Sequence, residues 1–165
     1  MHGGEYQAAY SYPIEHYAHW ERVVGRGDFT PGMFGENFTV RGCLEDQVQI
    51  GDVWQIGAAR LQVTMPRVPC FKLGHKLGRP HILKEFLHSG YSGFYHRVLR
   101  EGVVTAGDDI KLLERDPCGV TVRQMLGMQK LGEGEAASLR RALEMECLTP
   151  ALRRELEQRL GGLEG

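Results

Sequence analysis

The chain lacks an apolar run that approaches the roughly 20 residues needed to span a bilayer. Residues Met1 to Tyr12 also lack the order of a charged segment followed by an apolar one that a signal peptide shows. These two absences argue against a membrane-spanning protein and against secretion. We therefore expect a cytoplasmic protein with no membrane partner.

The four cysteines lack the spacing that builds disulfide frameworks or zinc ribbons. They are Cys43, Cys70, Cys118 and Cys147, and no two of them form a C-x-x-C pair. A reducing compartment with free thiols is the interpretation that fits this spacing. Any chemistry that uses sulfur would then depend on one cysteine rather than on a pair.

The chain as a whole carries almost no net charge, with 20 Lys and Arg against 21 Asp and Glu. A general nucleic-acid binder would be strongly basic over one face, so this balance argues against nucleic acid as a partner. The length of 165 residues is that of one domain, or of one domain with an appendage.

Acidic residues are absent from Pro66 to Lys84, although the segment has five Lys or Arg and two His. It also contains Cys70, and a positive surround favours a thiolate over a thiol, which makes a cysteine a better metal ligand or nucleophile. The same charges would attract an anion. A buried structural cysteine and a solvated basic helix face are the alternative interpretations of these residues.

Two prolines, Pro66 and Pro69, favour the functional interpretation of Cys70. Proline lacks an N–H group and fixes φ, so the segment cannot lie inside a central strand. We expect it to leave a sheet as a rigid, exposed arm. Cys70 would then be presented to solvent or to a ligand.

Residues 1–115 predict a mainly β, barrel-like domain. Apolar residues alternate from Val48 to Met65, and strands are also expected over Ala8–Tyr12, Phe94–Leu99 and Val103–Arg115. Short helices are expected after Pro13, from about Phe71 to Leu77, and from Pro80 to His88 with Leu83, Phe86 and Leu87 buried. The glycine-rich segment between Gly27 and Thr39 predicts a loop.

Residues 116–165 predict a small extension of three helices after a hinge at Asp116-Pro117-Cys118-Gly119. Thr121 with Gln124 forms the pattern of a capping box for the first helix. The second would bury Cys147 on its apolar side. The third would begin at Thr149-Pro150 and stop at Gly161.

Three motifs together resemble a known family. They are His2-Gly3-Gly4, Gly35-Glu36-Asn37-Phe38 and Arg67-Val68-Pro69-Cys70-Phe71-Lys72-Leu73. In this order they resemble the MOSC domain, the C-terminal domain of molybdenum cofactor sulfurases, and in particular its bacterial YiiM-like branch. The resemblance covers nearly the whole chain and implies a MOSC-like β-barrel with short helices, followed by a helical extension.

The resemblance implies that the chain binds the molybdenum cofactor (molybdopterin). Cys70 matches the thiol of the family, proposed to ligate molybdenum or to carry sulfur, and is therefore the candidate catalytic residue and metal ligand. Six positions match motif residues expected to line the cofactor pocket: His2, Gly3, Gly4, Asn37, Arg67 and Lys72. Arg67 and Lys72 could hold the pterin phosphate by charge-assisted hydrogen bonds.

The implied chemistry is reductive cleavage of an N–O bond, because relatives such as the mitochondrial amidoxime-reducing component reduce N-hydroxylated compounds. Such a reaction would need a small N-hydroxylated substrate and a separate electron-donor reductase, since the chain shows no flavin or iron–sulfur motif. A sulfur carrier, a non-catalytic binding module that uses Cys70 and an inactive truncated relative are the alternatives.

The chain begins at a motif that in the family follows the first two or more barrel strands. Either the start is misplaced or the chain is a shortened variant. A sheet without those strands would expose unpaired N–H and C=O groups at an edge. We therefore expect a homo-oligomer formed through an open sheet edge.

Overall fold

Alternating apolar side chains build one curled, six-stranded sheet in the computed structural model, which describes residues 4–165. The strands are β1 (Ala9–Pro13), β2 (Phe38–Val40), β3 (Val53–Ile56), β4 (Ala59–Pro66), β5 (Phe94–Arg100) and β6 (Ile110–Glu114). Their order across the sheet is β2-β1-β5-β4-β3-β6. β1 and β2 are parallel, and the other neighbouring strands are antiparallel.

The sheet is a half-barrel, because it curls without joining its two edge strands. β2 and β6 are those edges. The mainly β, barrel-like fold expected from the sequence is therefore confirmed. β1 and β5 lie side by side near the β2 edge, and both contribute to the site described below.

The strand predicted over Val103–Arg115 is shorter than expected, because its first half forms a turn. Asp108 donates its N–H to the carbonyl of Thr105 at 3.0 Å, and its carboxylate accepts the N–H of Thr105 at 2.7 Å. Gly107 between them has a φ of 95°, which favours glycine. Because the side chain of Asp108 caps this turn, the strand begins only at Ile110.

Six α-helices accompany the sheet. They are α1 (Tyr17–Val24), α2 (Phe71–Lys76), α3 (Ile82–Ser89), α4 (Val122–Leu126), α5 (Ala136–Leu143) and α6 (Pro150–Glu164). A 3-10 turn (Ile14–His16) precedes α1, another (Glu5–Gln7) precedes β1, and a π-helical segment (Gly127–Leu131) continues α4. No helix within residues 4–165 has both the length and the apolar character needed to cross a membrane.

The helix after Pro80 differs in detail from its prediction. α3 begins at Ile82, and its fully buried side chains are Ile82 and Phe86, whereas Leu83 and Leu87 are only partly covered. The stretch from Arg79 to His81 forms a turn instead, with the N–H of Ile82 bonded to the carbonyl of Arg79 at 3.1 Å. Phe86 packs against Trp20 of α1 and Tyr12 of β1.

The caps predicted for the C-terminal helices form. The hydroxyl of Thr121 accepts the N–H of Gln124, whose side chain in turn accepts the N–H of Thr121. Thr149 caps α6 in a similar way by accepting the N–H of Leu152 at 3.1 Å. The predicted stop at Gly161 was wrong: α6 continues to Glu164, because Gly161 does not take the positive φ that ends a helix.

The C-terminal helices share a hydrophobic core with the sheet. Trp54, Leu61 and Phe94 of the sheet belong to the same buried cluster as Met125 and Leu152 of the helices. Cys147 follows α5 rather than lying in it, but only 8% of its surface is exposed, as the core role predicted for it requires. The extension is therefore packed on the sheet, while a domain boundary near residue 115 stays a prediction.

A second core lies between β1, α1, α2 and α3 and consists mainly of aromatic rings. Tyr12 stacks on Phe34 with ring centroids 4.2 Å apart, and Trp20 stacks on Phe86 at 5.2 Å. The indole N–H of Trp20 donates to the hydroxyl of Tyr12 at 2.7 Å. This core fixes α2, and therefore Cys70 before it, against β1.

Candidate functional site

The segment from Arg67 to Cys70 leaves the sheet, as the two prolines predict. β4 ends at Pro66, the next four residues form no regular structure, and Cys70 is the residue before the first turn of α2. One backbone hydrogen bond, from the N–H of Arg67 to the carbonyl of Gly93 at 3.3 Å, holds the arm beside β5. Cys70 is half-buried and its carbonyl accepts the N–H of Leu73 at 3.0 Å, which ties its backbone to the first turn of α2.

A buried carboxylate shapes the loop that faces this arm. Glu36 accepts hydrogen bonds from the N–H groups of Gly32 at 3.1 Å and Phe34 at 3.0 Å, and from the hydroxyl of Thr39 at 2.9 Å. The hydroxyl of Tyr17 donates to the same carboxylate. Four donors around one buried carboxylate hold the loop in a single conformation.

Asn37 lies beside this carboxylate and is fixed to β1. Its side-chain oxygen accepts the N–H of Tyr10 at 2.9 Å, and its own N–H donates to the carbonyl of Tyr10 at 2.8 Å. Its carboxamide NH₂ group has no partner within residues 4–165 and is exposed. Because an amide carries two such N–H donors, Asn37 can bind a ligand oxygen without giving up its contacts to β1.

Arg67 connects the arm to the loop and to Tyr10 of β1. Its guanidinium donates to the carbonyl of Phe34 and lies 4.6 Å from the ring centroid of Tyr10. Burial raises the pKa of Tyr10 well above its ordinary value, although the charge of Arg67 partly opposes this. The hydroxyl of Tyr10 is therefore neutral and donates to the carbonyl of Ser92 at 2.8 Å.

Together these elements enclose a cleft of about 380 Å³. The residues that line it are Gln7, Tyr10, Phe34, Gly35, Asn37, Arg67, Val68, Cys70, Lys72, Leu73, Lys76 and Tyr95. The structure thus brings Asn37, Arg67, Cys70 and Lys72 to one place from two segments about 30 positions apart. No carboxylate from residues 4–165 lines the cleft, so its charged groups are all cationic.

The first motif contributes less to this geometry. His2 and Gly3 lie outside the described residues. Gly4 is exposed, with a φ of 129°, and does not line the cleft, whereas Gln7, three residues later, does. The pocket roles expected for His2, Gly3 and Gly4 stay predictions.

Several residues of the site could not be selected from the sequence. Tyr10 and Tyr95 are cross-strand partners of β1 and β5 and form one wall of the cleft, with ring centroids 5.2 Å apart. Burial also raises the pKa of Tyr95. Only the strand register reveals this pair. For Glu36, its position inside a motif was the one available signal.

The geometry predicts that Cys70 is alkylated by iodoacetamide near neutral pH faster than the other three cysteines. Burial raises the pKa of Cys43 and Cys147 to about 11, and burial together with the nearby Asp116 raises the pKa of Cys118. A smaller thiolate fraction slows alkylation. Peptide-resolved mass spectrometry of the folded protein measures the four rates, and equal labelling of Cys70 and Cys118 would contradict the prediction.

Comparison with known proteins gives one family match. The family model described as MOSC domain matches residues 1–111. Among curated proteins, the chain is 43% identical over 122 residues to the uncharacterized protein YflK of Bacillus subtilis, covering 74% of this chain and 55% of YflK. It is 34% identical over 117 residues to protein YiiM of Escherichia coli, covering 70% of this chain and 52% of YiiM.

The chain therefore spans about half the length of these two bacterial relatives. Among solved structures, YiiM from Geobacillus stearothermophilus superposes with a TM-score of 0.89 at 38% identity, over 96% of this chain and 80% of that one. YiiM from Escherichia coli superposes with a TM-score of 0.87 at 30% identity, with the same coverage.

Proposed function

The chain belongs to the MOSC domain family, and from that premise we propose that it binds the molybdenum cofactor beside Cys70 and reduces N-hydroxylated compounds. The observation that carries this proposal is the cleft itself. Four residues selected from the sequence for this role, Asn37, Arg67, Cys70 and Lys72, line the same cavity. A separate reductase as electron donor and the cytoplasm as the compartment are parts of the same proposal.

The donor set of the cleft fits the molybdenum cofactor. Within residues 4–165, no cluster of three or more His, Cys, Asp or Glu could hold a metal ion, so a metal here would have to arrive with most of its ligands already supplied. A single thiolate, which is a soft ligand, can complete such a metal. Lys72 and Lys76 provide charge for a phosphate, since both line the cleft from the exposed side of α2.

When bound, the cofactor would supply a centre that exchanges two electrons. In the overall reaction the N–O bond breaks, the nitrogen is reduced, and the oxygen leaves as water after two electrons and two protons are added. The residues of this chain bind and orient the reactants. Asn37 offers its NH₂ group to an oxygen, and the ring of Tyr95, which is only partly buried, gives a planar substrate an apolar surface.

A fungal relative supports reductive chemistry. The chain is 37% identical over 117 residues to a protein of Gibberella moniliformis named "Reductase", covering 69% of this chain and 21% of that protein. This domain is therefore found within a much longer protein with that name. We infer that electrons reach the cleft of this chain from another domain or another protein.

The experiment that tests the proposal is metal analysis of protein purified from molybdenum-replete cells, followed by an activity assay. We expect molybdenum to copurify and benzamidoxime to be consumed when a chemical or flavoprotein electron donor is added. Protein without molybdenum that carries a persulfide on Cys70 would support a sulfur carrier instead. Protein that binds neither would support an inactive relative.

Lys72→Ala is expected to reduce the retention of the cofactor more than it slows turnover of the loaded fraction. The ammonium group of Lys72 is exposed at the cleft and would contribute to binding of a phosphate rather than to the reacting bond. The measurement is molybdenum per chain after dialysis. Lys84→Ala is the matched control, because Lys84 is an exposed lysine on α3 that does not line the cleft. Equal losses in both variants would contradict the anchoring role.

A further inference from the structure

The cleft is lined by two tyrosines, Tyr10 and Tyr95, whose hydroxyl groups have different surroundings. The hydroxyl of Tyr10 donates to the carbonyl of Ser92 at 2.8 Å, so its proton is already held within the fold. The proton of the Tyr95 hydroxyl has no acceptor within residues 4–165, and Tyr95 is only partly buried. Tyr95 can therefore donate this proton to a bound molecule without breaking a contact of the fold.

Tyr95 is held by a central strand of the sheet. β5 lies between β1 and β4, and Tyr95 on it is the direct partner of Tyr10 on β1. The two rings share one face of the sheet, with centroids 5.2 Å apart. A functional group on a strand is positioned more precisely than one on a loop. The ring of Tyr95 is thus fixed beside the arm that carries Cys70.

The cleft offers few other acids. Within the described part of the chain, no histidine, aspartate or glutamate lines it, although these are the commonest general acids in enzymes. An arginine guanidinium does not release a proton in proteins, and the ammonium of Lys76 donates to a loop carbonyl at 2.9 Å. Apart from Cys70, the candidate metal ligand, this leaves Tyr95 and the exposed Lys72, to which a phosphate is assigned above.

Arg67 supplies the positive charge that a tyrosine acid requires. Its guanidinium lies 4.6 Å from the ring centroid of Tyr10, the neighbour of Tyr95. Burial raises the pKa of Tyr95, so its hydroxyl is protonated at neutral pH, and the charge of Arg67 opposes part of this shift. The same charge would stabilise the tyrosinate that is left after the proton has been donated.

We propose that Tyr95 is the general acid of the cleft and that its hydroxyl donates a proton to the oxygen that departs when the N–O bond breaks. This inference rests on the reduction of N-hydroxylated compounds proposed above, and the two electrons come from the separate reductase. With benzamidoxime, the departing oxygen keeps its hydrogen, takes the proton of Tyr95 and leaves as water. The nitrogen gains the two electrons and takes the second proton from solvent. Water then returns a proton to the tyrosinate, since Tyr95 is only partly buried.

Tyr95→Phe tests the proposal, because it keeps the ring against Tyr10 and removes the proton. The kcat for benzamidoxime should fall by about 100-fold, with KM and molybdenum content unchanged. Tyr91→Phe is the matched control and should keep the kcat of wild type, since Tyr91 is also a partly buried tyrosine but lies outside the cleft. A Tyr95→Phe protein with the kcat of wild type would overturn this inference alone. A wild type that reduces no benzamidoxime would reject the proposed function and this inference together.

A substrate with a better leaving group separates proton donation from positioning. In O-acetylbenzamidoxime the oxygen departs as acetate, a stable anion that needs no proton. Tyr95→Phe should therefore reduce the kcat for this compound by less than about threefold, against about 100-fold for benzamidoxime. Equal losses with both compounds would show that Tyr95 only positions the substrate and would overturn the proposal. If wild type does not turn over the acetylated compound, the split between kcat and KM with benzamidoxime decides.

The protonation of Tyr95 can be measured without turnover. The difference between the ultraviolet pH titrations of wild type and Tyr95→Phe isolates the ionisation of this one hydroxyl. An ordinary tyrosine has a pKa of about 10, and burial raises that of Tyr95, so Tyr95 should stay protonated up to about pH 9. Ionisation of Tyr95 below about pH 7 would overturn the proposal, because the hydroxyl would then have no proton to donate.

Discussion

Replacing Cys70 with Ser is expected to abolish molybdenum-dependent reduction of an N-hydroxylated substrate while leaving the fold intact. A serine hydroxyl ionises far less readily than a thiol and is a hard rather than a soft ligand, so it cannot replace a thiolate at a redox metal. Cys70 is half-buried and belongs to neither buried core cluster. The free energy of unfolding should therefore change by no more than about 0.5 kcal/mol.

Cys118→Ser is the matched control for this substitution. Cys118 is also partly exposed, but it lies in the turn after Asp116, outside the cleft, and its loss should leave activity unchanged. The measurements are benzamidoxime consumption, molybdenum content and thermal melting of the three proteins. Equal activity in wild type and Cys70→Ser would refute the proposed role of the thiol.

The backbone around Cys70 was the part of the site best predicted from the sequence, because a proline restricts the conformation of its own residue. Pro66 and Pro69 restrict their own backbone and remove two N–H donors, whatever surrounds them. The end of β4 and the arm that follows could therefore be predicted without knowledge of the sheet. The caps of α4 and α6 could be predicted for the same reason, since Thr121 and Thr149 bind N–H groups only three residues away.

The walls of the cleft could not be predicted, because they depend on which strands are neighbours. Tyr10 and Tyr95 are 85 positions apart and meet only in the register of β1 and β5. The C-terminal helices showed apolar stripes in the sequence, but not the surface of the sheet that those stripes cover. The end of α6 was misjudged because a glycine stops a helix only when it adopts a left-handed conformation, which Gly161 does not.

The loop held by Glu36 links a local motif to contacts between residues that are distant in the sequence. Its carboxylate accepts the N–H of Phe34 and so fixes the backbone there. The carbonyl of Phe34 in turn accepts a hydrogen bond from the guanidinium of Arg67. The same carboxylate also fixes Gly32, whose carbonyl accepts the ammonium of Lys76 at 2.9 Å. Two cationic side chains of the cleft thus depend on one buried anion that does not itself line the cleft.

Glu36→Gln is therefore expected to destabilise the fold and to reduce retention of the cofactor together. The amide has the shape of the carboxylate, but its NH₂ group would face N–H or O–H donors instead of accepting from them. Hydrogen bonds to buried charged groups contribute about 1.5–3 kcal/mol each, and a buried donor without a partner costs a further 1–3 kcal/mol. We expect a loss of about 3 kcal/mol in the free energy of unfolding.

Tyr17→Phe separates these two effects, because it removes one of the four donors and leaves the carboxylate in place. Burial, and then the hydrogen bond to Glu36, raise the pKa of Tyr17 to about 12, so the lost donor is a neutral hydroxyl. Its removal should cost about 1 kcal/mol and leave most of the bound molybdenum. Urea unfolding gives the stability of each variant, and molybdenum per folded chain gives retention. A Glu36→Gln protein that unfolds at the same urea concentration as wild type and keeps its molybdenum would show that the loop does not depend on this carboxylate.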